Sequence, residues 1–166
     1  MITFEEVYRE HVRFVWRSVR RLGIAERDVD DVCQLVFEIV HRQLPGFRGG
    51  SKLTTWLFGI TFNVVRDQRK SAYARRVALD DSIELSQEPD QEQVVERAQA
   101  RAILDRLLDT LDDDKRAVYV LVELEEMSVK DAAETMGVPL KTAYARLDAA
   151  RVKLEQAARR LKLVNT

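Results

Sequence analysis

The chain has 166 residues, of which 46% are hydrophobic and 33% charged, with only six glycines and three prolines. This composition is typical of a helix-rich protein with buried cores, and the length allows one ordinary domain or two small ones. No apolar run approaches the ~20 residues that cross a bilayer, and residues 1–10 lack a secretory signal pattern, so we expect a cytoplasmic protein. The single cysteine, Cys33, excludes an internal disulfide and a cysteine-rich metal site.

The net charge of -1 hides an uneven distribution along the chain. Residues 1–75 hold 13 basic and 9 acidic groups, and residues 76–100 hold 2 and 7. Residues 101–126 hold 4 basic and 8 acidic groups, and residues 127–166 hold 8 and 4. Two basic segments that alternate with two acidic ones suit a protein that contacts a polyanion at two places, although solvated helix faces would give the same pattern.

Apolar residues at helical spacing predict two helices in the first part of the chain. The first runs from Phe4 to Leu22, as one helix or two short ones, and ends at Gly23. The second runs from about Arg27 to His41 and should bury one side of its surface. Its apolar stripe, in which the cysteine is expected to be a core residue, comprises Val29, Val32, Cys33, Val36, Phe37 and Val40.

A loop, a third helix and a linker are predicted next. Proline and glycine mark the loop over residues 44–52. Thr54 or Thr55 is expected to cap the third helix, and the first domain should close near Arg76. The acidic residues 77–95 predict a flexible linker, with a short helix as the alternative.

Four more helices are predicted after the linker, over residues 98–111, 115–124, 129–136 and 140–163. Asp112 to Asp114 are expected to cap and charge the start of the second of these, Gly137 to end the third in a left-handed conformation, and Pro139 to start the fourth. No strand pattern is found. The predicted fold is therefore all-α, with two small helical domains (residues 1–76 and 96–166) joined by the flexible acidic linker.

The last two predicted helices and the short turn between them match helix-turn-helix geometry. Ala132 and Ala133 provide the small side chains that a close helix crossing needs. The second helix offers polar groups that could contact phosphates or base edges in a major groove, namely Lys141, Thr142, Tyr144, Arg146, Arg151 and Lys153. A plain helical hairpin would show a similar stripe, so both interpretations remain open at this point.

A second candidate site lies in residues 47–57 and 62–67, where basic and polar residues are interleaved with aromatic ones. Stacking on aromatic side chains contributes ~1 to 3 kcal/mol per base, and cations follow the phosphate backbone. The pattern therefore suits the binding of unstacked, single-stranded bases. The alternative is that Trp56 and Phe62 are core residues.

No catalytic or metal-ligating pattern is found in the sequence. His11 and His41 have no cysteine or carboxylate partners at ligand spacing, and neither a nucleophilic triad nor a phosphate-binding glycine loop can be identified. We therefore expect a binding protein and not an enzyme, with no cofactor and no small-molecule substrate.

Three segments in this order resemble the extracytoplasmic function (ECF) group of the sigma-70 family of RNA polymerase sigma factors. Residues 28–37 (DVDDVCQLVF) look like the family's polymerase-binding helix, and residues 47–67 resemble its promoter-melting and minus-ten segment. Residues 111–151 are similar to its minus-thirty-five domain. The resemblance implies a protein that binds core RNA polymerase, recognises the two elements of promoter DNA and promotes DNA melting.

The resemblance also implies roles for individual residues. The polymerase contacts would be Asp28, Asp31, Gln34 and Phe37, the last as an aromatic anchor. The minus-ten DNA contacts would be Phe47, Ser51, Lys52, Thr54, Trp56, Asn63, Arg66 and Asp67. Among these, Phe47 and Asn63 would help to form a pocket for a flipped base. The minus-thirty-five contacts would be Arg116, Lys141, Thr142, Tyr144, Arg146 and Arg151.

A further partner implied by the resemblance is an anti-sigma factor, through which alone the chain would associate with a membrane. The sequence departs from the family's usual pattern at Gly50, where an acidic residue is common, and at Pro139, where serine often caps the helix. Tyr144, Ala145, Asp148 and Ala149 stand where basic or polar residues are often found. Asp148 could accept a hydrogen bond from a cytosine amino group, so the preferred promoter is expected to be unusual.

Two other functions compete with this hypothesis. One is a self-sufficient helix-turn-helix regulator with an N-terminal ligand-binding or dimerisation domain. The other is a helical adaptor that binds polymerase but not DNA. A stable homodimer or a small-molecule pocket in residues 1–75 would favour the first, and promoter opening that survives loss of Phe47 and Asn63 would favour the second.

Overall fold

The structure is a computed structural model, and it describes residues 1–79 and 92–162. These residues contain α-helices and no strand, which confirms the predicted fold class. None of the described helices has the length and apolar character needed to cross a bilayer. The helices are α1 (Phe4–Arg21), α2 (Glu26–Gln43), α3 (Leu53–Leu79), α4 (Glu92–Leu108), α5 (Asp113–Tyr119), α6 (Val129–Met136) and α7 (Leu140–Arg160).

The N-terminal domain is a bundle in which α1, α2 and α3 pack against one another. A capping box starts α1, because Thr3 Oγ1 accepts from the amide of Glu6 while the Glu6 carboxylate accepts from the amide of Thr3. The segment from Phe4 is a single helix, and Gly23 follows its end with φ of +109°, a conformation that favours glycine. All six residues of the predicted apolar stripe of α2 are buried, as expected.

The start of α3 differs from the prediction. The amide of Trp56 donates to the carbonyl of Lys52 at 3.1 Å, so the helix has already begun before Thr54 and Thr55. Both threonines lie in the first turn, and neither caps the helix. At its other end α3 continues to Leu79, beyond the predicted domain boundary.

The predicted linker, residues 77–95, is helical at both ends, because α3 includes residues 77–79 and α4 begins at Glu92. Residues 80–91 lie outside the described part of the chain. The acidic composition predicts irregular structure over the whole of residues 77–95. Instead, the helices on either side, α3 and α4, extend into this segment from both ends.

The C-terminal domain consists of α4 to α7, and its predicted caps are found. Asp112 Oδ1 accepts from the amide of Lys115 at 2.9 Å at the start of α5, and Gly137 ends α6 with φ of +65°. The helix predicted over residues 115–124 is divided, because α5 is followed by a π-helical turn, Val120–Leu124. The helix-turn-helix is formed by α6 and α7, with Ala132 and Ala133 buried at their crossing.

The two domains pack against each other. Helix α3 contacts α6, and one cluster of buried apolar side chains extends from Val7 in α1 to Leu154 in α7. Several ion pairs also join the domains, among them Arg20 with Asp105 and Lys52 with Asp131. The described part of the chain is therefore in a closed form, in which the second domain lies on the C-terminal end of α1 and along α3.

Candidate polymerase and nucleic-acid interfaces

The exposed face of α2 carries three of the predicted polymerase contacts. Asp28, Asp31 and Gln34 all point to solvent, and Gln34 Nε2 donates to Glu38 Oε1 at 3.3 Å. Leu35 lies on the same face, four residues after Asp31, and 38% of it is exposed. The sequence analysis missed this leucine, although its position outside the α2 core stripe is the signal that could have identified it.

The structure does not place Phe37 on this exposed face. Only 5% of Phe37 is exposed, and its ring meets that of Tyr8 edge-on with centroids 4.8 Å apart. The reason is its spacing, four residues after Cys33 and three before Val40, which are core positions. Phe37 instead lines a groove of about 660 Å³ between α1 and α2, beside Tyr8, which is 46% exposed.

The loop before α3 brings two aromatic side chains together. The rings of Phe47 and Trp56 are tilted by 36° with centroids 4.9 Å apart, and both are half-buried. Phe62 is 8% exposed and belongs to the core, so the core interpretation holds for it. Trp56 packs on that core from outside while keeping part of its surface accessible.

The polar residues of the minus-ten segment lie mostly on one side of α3. Asn63 and Asp67 are exposed one turn apart, and half-buried Arg66 lies between them. Arg66 Nη2 donates to Asn63 Oδ1 at 3.2 Å, and its guanidinium carbon lies 5.5 Å from the centroid of the Phe62 ring. The amide NH₂ of Asn63 can donate to a base edge, and its oxygen keeps a second lone pair beside the bond from Arg66.

The remaining predicted minus-ten contacts lie at the start of α3. Ser51 and Thr54 are half-buried, while Lys52 is exposed. Lys52 Nζ lies 3.3 Å from Asp131 Oδ2 in α6 of the other domain. The hydrogen bond from Lys52 is the largest cause that lowers the pKa of the Asp131 carboxyl, and Ser128 adds to it.

The outward face of α7 is a row of polar and aromatic side chains. Lys141, Tyr144, Asp148 and Arg151 are exposed at intervals of three or four residues, so they share one side of the helix. The opposite side is buried against the domain and consists of Ala143, Leu147, Ala150, Leu154 and Ala157. The structure therefore brings together on this face three of the six residues predicted to contact the minus-thirty-five duplex, Lys141, Tyr144 and Arg151.

Two arginines of α7 are paired with carboxylates of their own domain. Arg151 Nε donates to Glu123 Oε1 at 2.7 Å, and Arg151 Nη1 lies 3.7 Å from Asp148. Arg146 Nη2 lies 3.7 Å from Asp114 Oδ2, and Thr142 beside it is half-buried. These carboxylates would compete with DNA phosphates for the two arginines.

Arg116 is not on the α7 surface at all. It is 1% exposed, and its Nε donates to the backbone carbonyl of Arg21 in α1 at 2.6 Å while Nη1 donates to Asp109 Oδ1 at 2.8 Å. Burial lowers the pKa of Arg116, and Asp109 opposes that effect. In this closed form Arg116 joins the two domains, so its predicted contact with the minus-thirty-five duplex is not available.

A helical bundle with an aromatic loop, joined to a helix-turn-helix domain, defines an all-helical fold of the kind found in DNA-binding proteins. Residues 7–78 match the family model of Sigma-70 region 2, and residues 101–154 match that of Sigma-70, region 4. The chain belongs to the ECF group of RNA polymerase sigma factors. Members of this family are transcription initiation factors, and the chain functions as an alternative sigma factor.

Individual relatives show how far the similarity extends. The chain is 30% identical over 157 residues to the ECF RNA polymerase sigma factor SigE of Mycolicibacterium smegmatis, covering 93% of this chain and 61% of that protein. It is 31% identical over 164 residues to SigM of Mycobacterium tuberculosis, covering 98% and 79%. The solved structure of CnrH in complex with the cytosolic domain of CnrY matches with a TM-score of 0.70 at 27% identity, covering 93% and 86%.

Proposed function

We propose that the two domains divide the work of promoter recognition. The N-terminal domain binds core RNA polymerase through α2 and captures melted minus-ten bases at the aromatic loop, while α7 reads the minus-thirty-five duplex. The observation that carries this proposal is the presence of two separate polar faces, one on α3 and one on α7, on different domains. We propose domain boundaries at residues 1–76 and 96–166 with residues 77–95 between them, and α3 and α4 each extend a few residues into that segment.

The polymerase-binding surface is the outer side of α2. Asp28, Asp31 and Gln34 supply charge and hydrogen bonds there, and exposed Leu35 supplies apolar area. The adjoining groove, lined by Tyr8 and Phe37, can receive an apolar side chain of the partner. Interfaces of this kind depend on a few buried apolar and aromatic anchors surrounded by polar residues.

The minus-ten surface has the chemistry needed to hold single-stranded bases. Phe47 and Trp56 offer aromatic surface for stacking, and the Asn63 amide can donate to a base edge. Lys52 and Arg66 supply positive charge for the phosphate backbone. Stacking and hydrogen bonding to a base edge both act on unpaired bases, so this surface suits the melted element.

The α7 surface has the chemistry needed to read duplex DNA. Lys141 and Arg151 can contact phosphates or guanine, and Tyr144 adds a hydroxyl and aromatic area. Asp148 in the middle of the row is unfavourable near phosphate but can accept from a cytosine amino group. We therefore expect a cytosine opposite Asp148 to be preferred.

The proposal extends to regulation and location. The relative CnrH has been solved with the cytosolic domain of CnrY, and we propose that this chain likewise acts in the cytoplasm and has a protein inhibitor of the anti-sigma type. Any association with a membrane would then be indirect, through that inhibitor. Exposed Leu35 of α2, together with exposed Tyr8 of the neighbouring α1, offers apolar surface for such a partner.

The isolated chain is expected to bind promoter DNA poorly, because each surface is small and the polymerase supplies the effective concentration that joins them. Tight, sequence-specific binding by the chain alone would favour the self-sufficient regulator instead. The matches to region 2 and region 4 models over most of the chain do not favour that alternative.

Transcription reconstituted with core polymerase and a library of promoters tests the proposal. Phe47→Ala and Asn63→Ala should abolish transcripts from duplex templates and restore them in part on templates already melted at the minus-ten element. Gln156→Ala, which also removes an exposed side-chain amide but in another part of the chain, is the matched control. Wild-type transcript levels for Asn63→Ala on duplex templates would refute the base-capture role.

A further inference from the structure

The middle of the outward face of α7 carries little charge. One row of side chains, named here the central row, runs along it at intervals of four, three and four residues and consists of Lys141, Ala145, Asp148 and Val152. All four are exposed, and they lie opposite the buried side of the helix. After Lys141 the row therefore presents one carboxylate with an apolar side chain before it and another after it.

Apolar surface on this side of α7 extends beyond the central row. Val152 is 54% exposed, and Tyr144 at the edge of the row is 50% exposed. Leu140 in the first turn is also exposed, and none of these three side chains belongs to the apolar core. Neighbouring apolar side chains that remain in contact with water commonly mark a surface that binds a partner.

The two arginines of the first three turns of α7 stand beside the central row and not in it. Arg151 Nε donates to Glu123 Oε1 at 2.7 Å, and half-buried Arg146 lies 3.7 Å from Asp114. An arginine reads guanine by directing two N–H groups at O6 and N7 of that base in the major groove. The middle of the α7 surface therefore lacks the side chain that most commonly recognises guanine.

The chemistry of the central row matches pyrimidines instead. Thymine is the base that presents a methyl group in the major groove, and apolar side chains recognise it by contact. Ala145 and Val152 offer methyl groups for such contacts. Cytosine presents an amino group in the same groove, from which the carboxylate of Asp148 can accept a hydrogen bond.

The spacing of the central row fits neighbouring base pairs. With a rise of about 1.5 Å per residue, Ala145 lies about 4.5 Å before Asp148 along the helix axis and Val152 lies about 6 Å after it. Successive base pairs of B-form DNA are about 3.4 Å apart. A thymine within one or two steps on either side of a cytosine is therefore within reach of the row.

We propose that α7 reads a short run of pyrimidines in the minus-thirty-five element. Ala145 and Val152 contact the methyl groups of thymines, and Asp148 accepts from the cytosine between them. Lys141 and Arg151, at the end and the edge of the row, hold phosphates and so position the helix without selecting a base. The inference rests on the proposed function, since it names the bases that the same surface recognises.

Replacement of thymine by deoxyuridine tests the methyl contacts. Holoenzyme formed from core polymerase and the full-length chain is first used to select from a promoter library randomised over the minus-thirty-five element, and a pyrimidine run should be selected. Each thymine of that run is then replaced by deoxyuridine, which pairs in the same way but lacks the methyl group. Each replacement should weaken holoenzyme binding by about two- to fourfold, because a contact of about one methylene group is lost. Deoxyuridine between the two promoter elements is the control and should have no effect.

Val152→Ala and Val77→Ala are the matched protein variants, because both shorten an exposed valine by the same atoms. Val152→Ala should abolish the discrimination between thymine and deoxyuridine at one position and preserve it at the other. Ala145→Ser should do the reverse, and Val77→Ala, in α3, should change neither. Such position-specific coupling does not arise from a general destabilisation of α7. An equal loss for Val152→Ala on thymine and deoxyuridine templates would show that this face contacts protein, and would overturn the proposal.

The selection separates this inference from the proposed function. If no base of the minus-thirty-five element is selected, α7 does not read the duplex, and both the proposed duplex reading and the pyrimidine inference fail. If a definite element is selected but deoxyuridine binds as well as thymine at every position, α7 reads the duplex by other contacts. In that case the proposed function stands, and the recognition of thymine methyl groups is refuted.

Discussion

Arg116 in α5 donates a hydrogen bond of 2.6 Å from Nε to the backbone carbonyl of Arg21 at the end of α1. This bond joins side chain to main chain across two domains, in a position that is almost completely shielded from water. Loss of this buried guanidinium, which has two acceptors, should therefore lower the stability of the fold.

Replacing Arg116 with alanine should destabilise the chain by roughly 2 to 4 kcal/mol, because the Arg21 carbonyl loses its donor and a buried volume is left empty. Urea unfolding followed by circular dichroism measures the change. Arg159→Ala is the control, since Arg159 is exposed and its pair with Glu155 should contribute less than about 1 kcal/mol. Equal midpoints for the two variants would show that the buried bond contributes little.

Leu35→Ala should weaken binding to core polymerase by about tenfold without lowering the unfolding midpoint, because Leu35 is a partly exposed side chain on the proposed binding face of α2. Titration of labelled protein with core enzyme gives the affinity. Val152→Ala, which removes an exposed apolar side chain from α7, should leave that affinity unchanged. An unchanged affinity for Leu35→Ala would remove this leucine from the interface.

Asp148→Asn should alter which base is preferred in the minus-thirty-five element, because an amide can donate as well as accept hydrogen bonds and no longer repels phosphate. Selection from a randomised minus-thirty-five element reads out the preference. By contrast, Lys141→Ala should weaken binding on all sequences and reduce its salt dependence by about one phosphate contact. If Asp148→Asn selects the same element as the wild type, Asp148 does not contact a base.

Cys33 should be unreactive in the folded chain. Burial, with a smaller contribution from Asp30, raises its pKa to about 11 from an ordinary value of 9.0. Near pH 8 the thiolate fraction is then about 100-fold lower than in the unfolded chain, and labelling by a thiol reagent should be slower by at least that factor. The folded state holds the thiol proton more tightly than the unfolded state. This difference adds to the free energy of unfolding below about pH 9, and the added stability should be lost as the pH rises towards 11.

The contrast between Phe37 and Leu35 shows where sequence reasoning was sufficient. The stripe of α2 could be predicted because a three-and-four spacing defines a buried side, and all six of its residues are buried. Phe37 belongs to that stripe, so the same spacing that identified the core also excluded it from the exposed face. The resemblance to the family assigned it a role that its own periodicity argued against.

The helix caps show a second limit. Asp112 and Gly137 were predicted correctly because each supplies a local interaction or conformation that does not depend on the rest of the fold. Thr54 and Thr55 were equally plausible caps, but the helix begins one residue before them at Leu53. Local chemistry alone could not decide among adjacent starting points.

The contact between the domains was outside the reach of the sequence. The alternation of basic and acidic segments was visible, but charge alone could not show that Glu125 meets Arg17 and Arg21 rather than solvent. These partners are separated by more than a hundred residues, and their pairing depends on how two folded domains pack. The placement of Arg116 between the domains has the same origin.

The most direct test of the division of labour is a run-off transcription assay in which purified core polymerase is titrated with the full-length chain on a promoter-containing template. The chain should form a complex with core enzyme and produce transcripts from one start site. Transcript levels of α7 variants should depend on the minus-thirty-five sequence, and those of Phe47→Ala should depend on whether the minus-ten element is already melted. A core enzyme that neither binds the chain nor gains selective initiation would contradict the account.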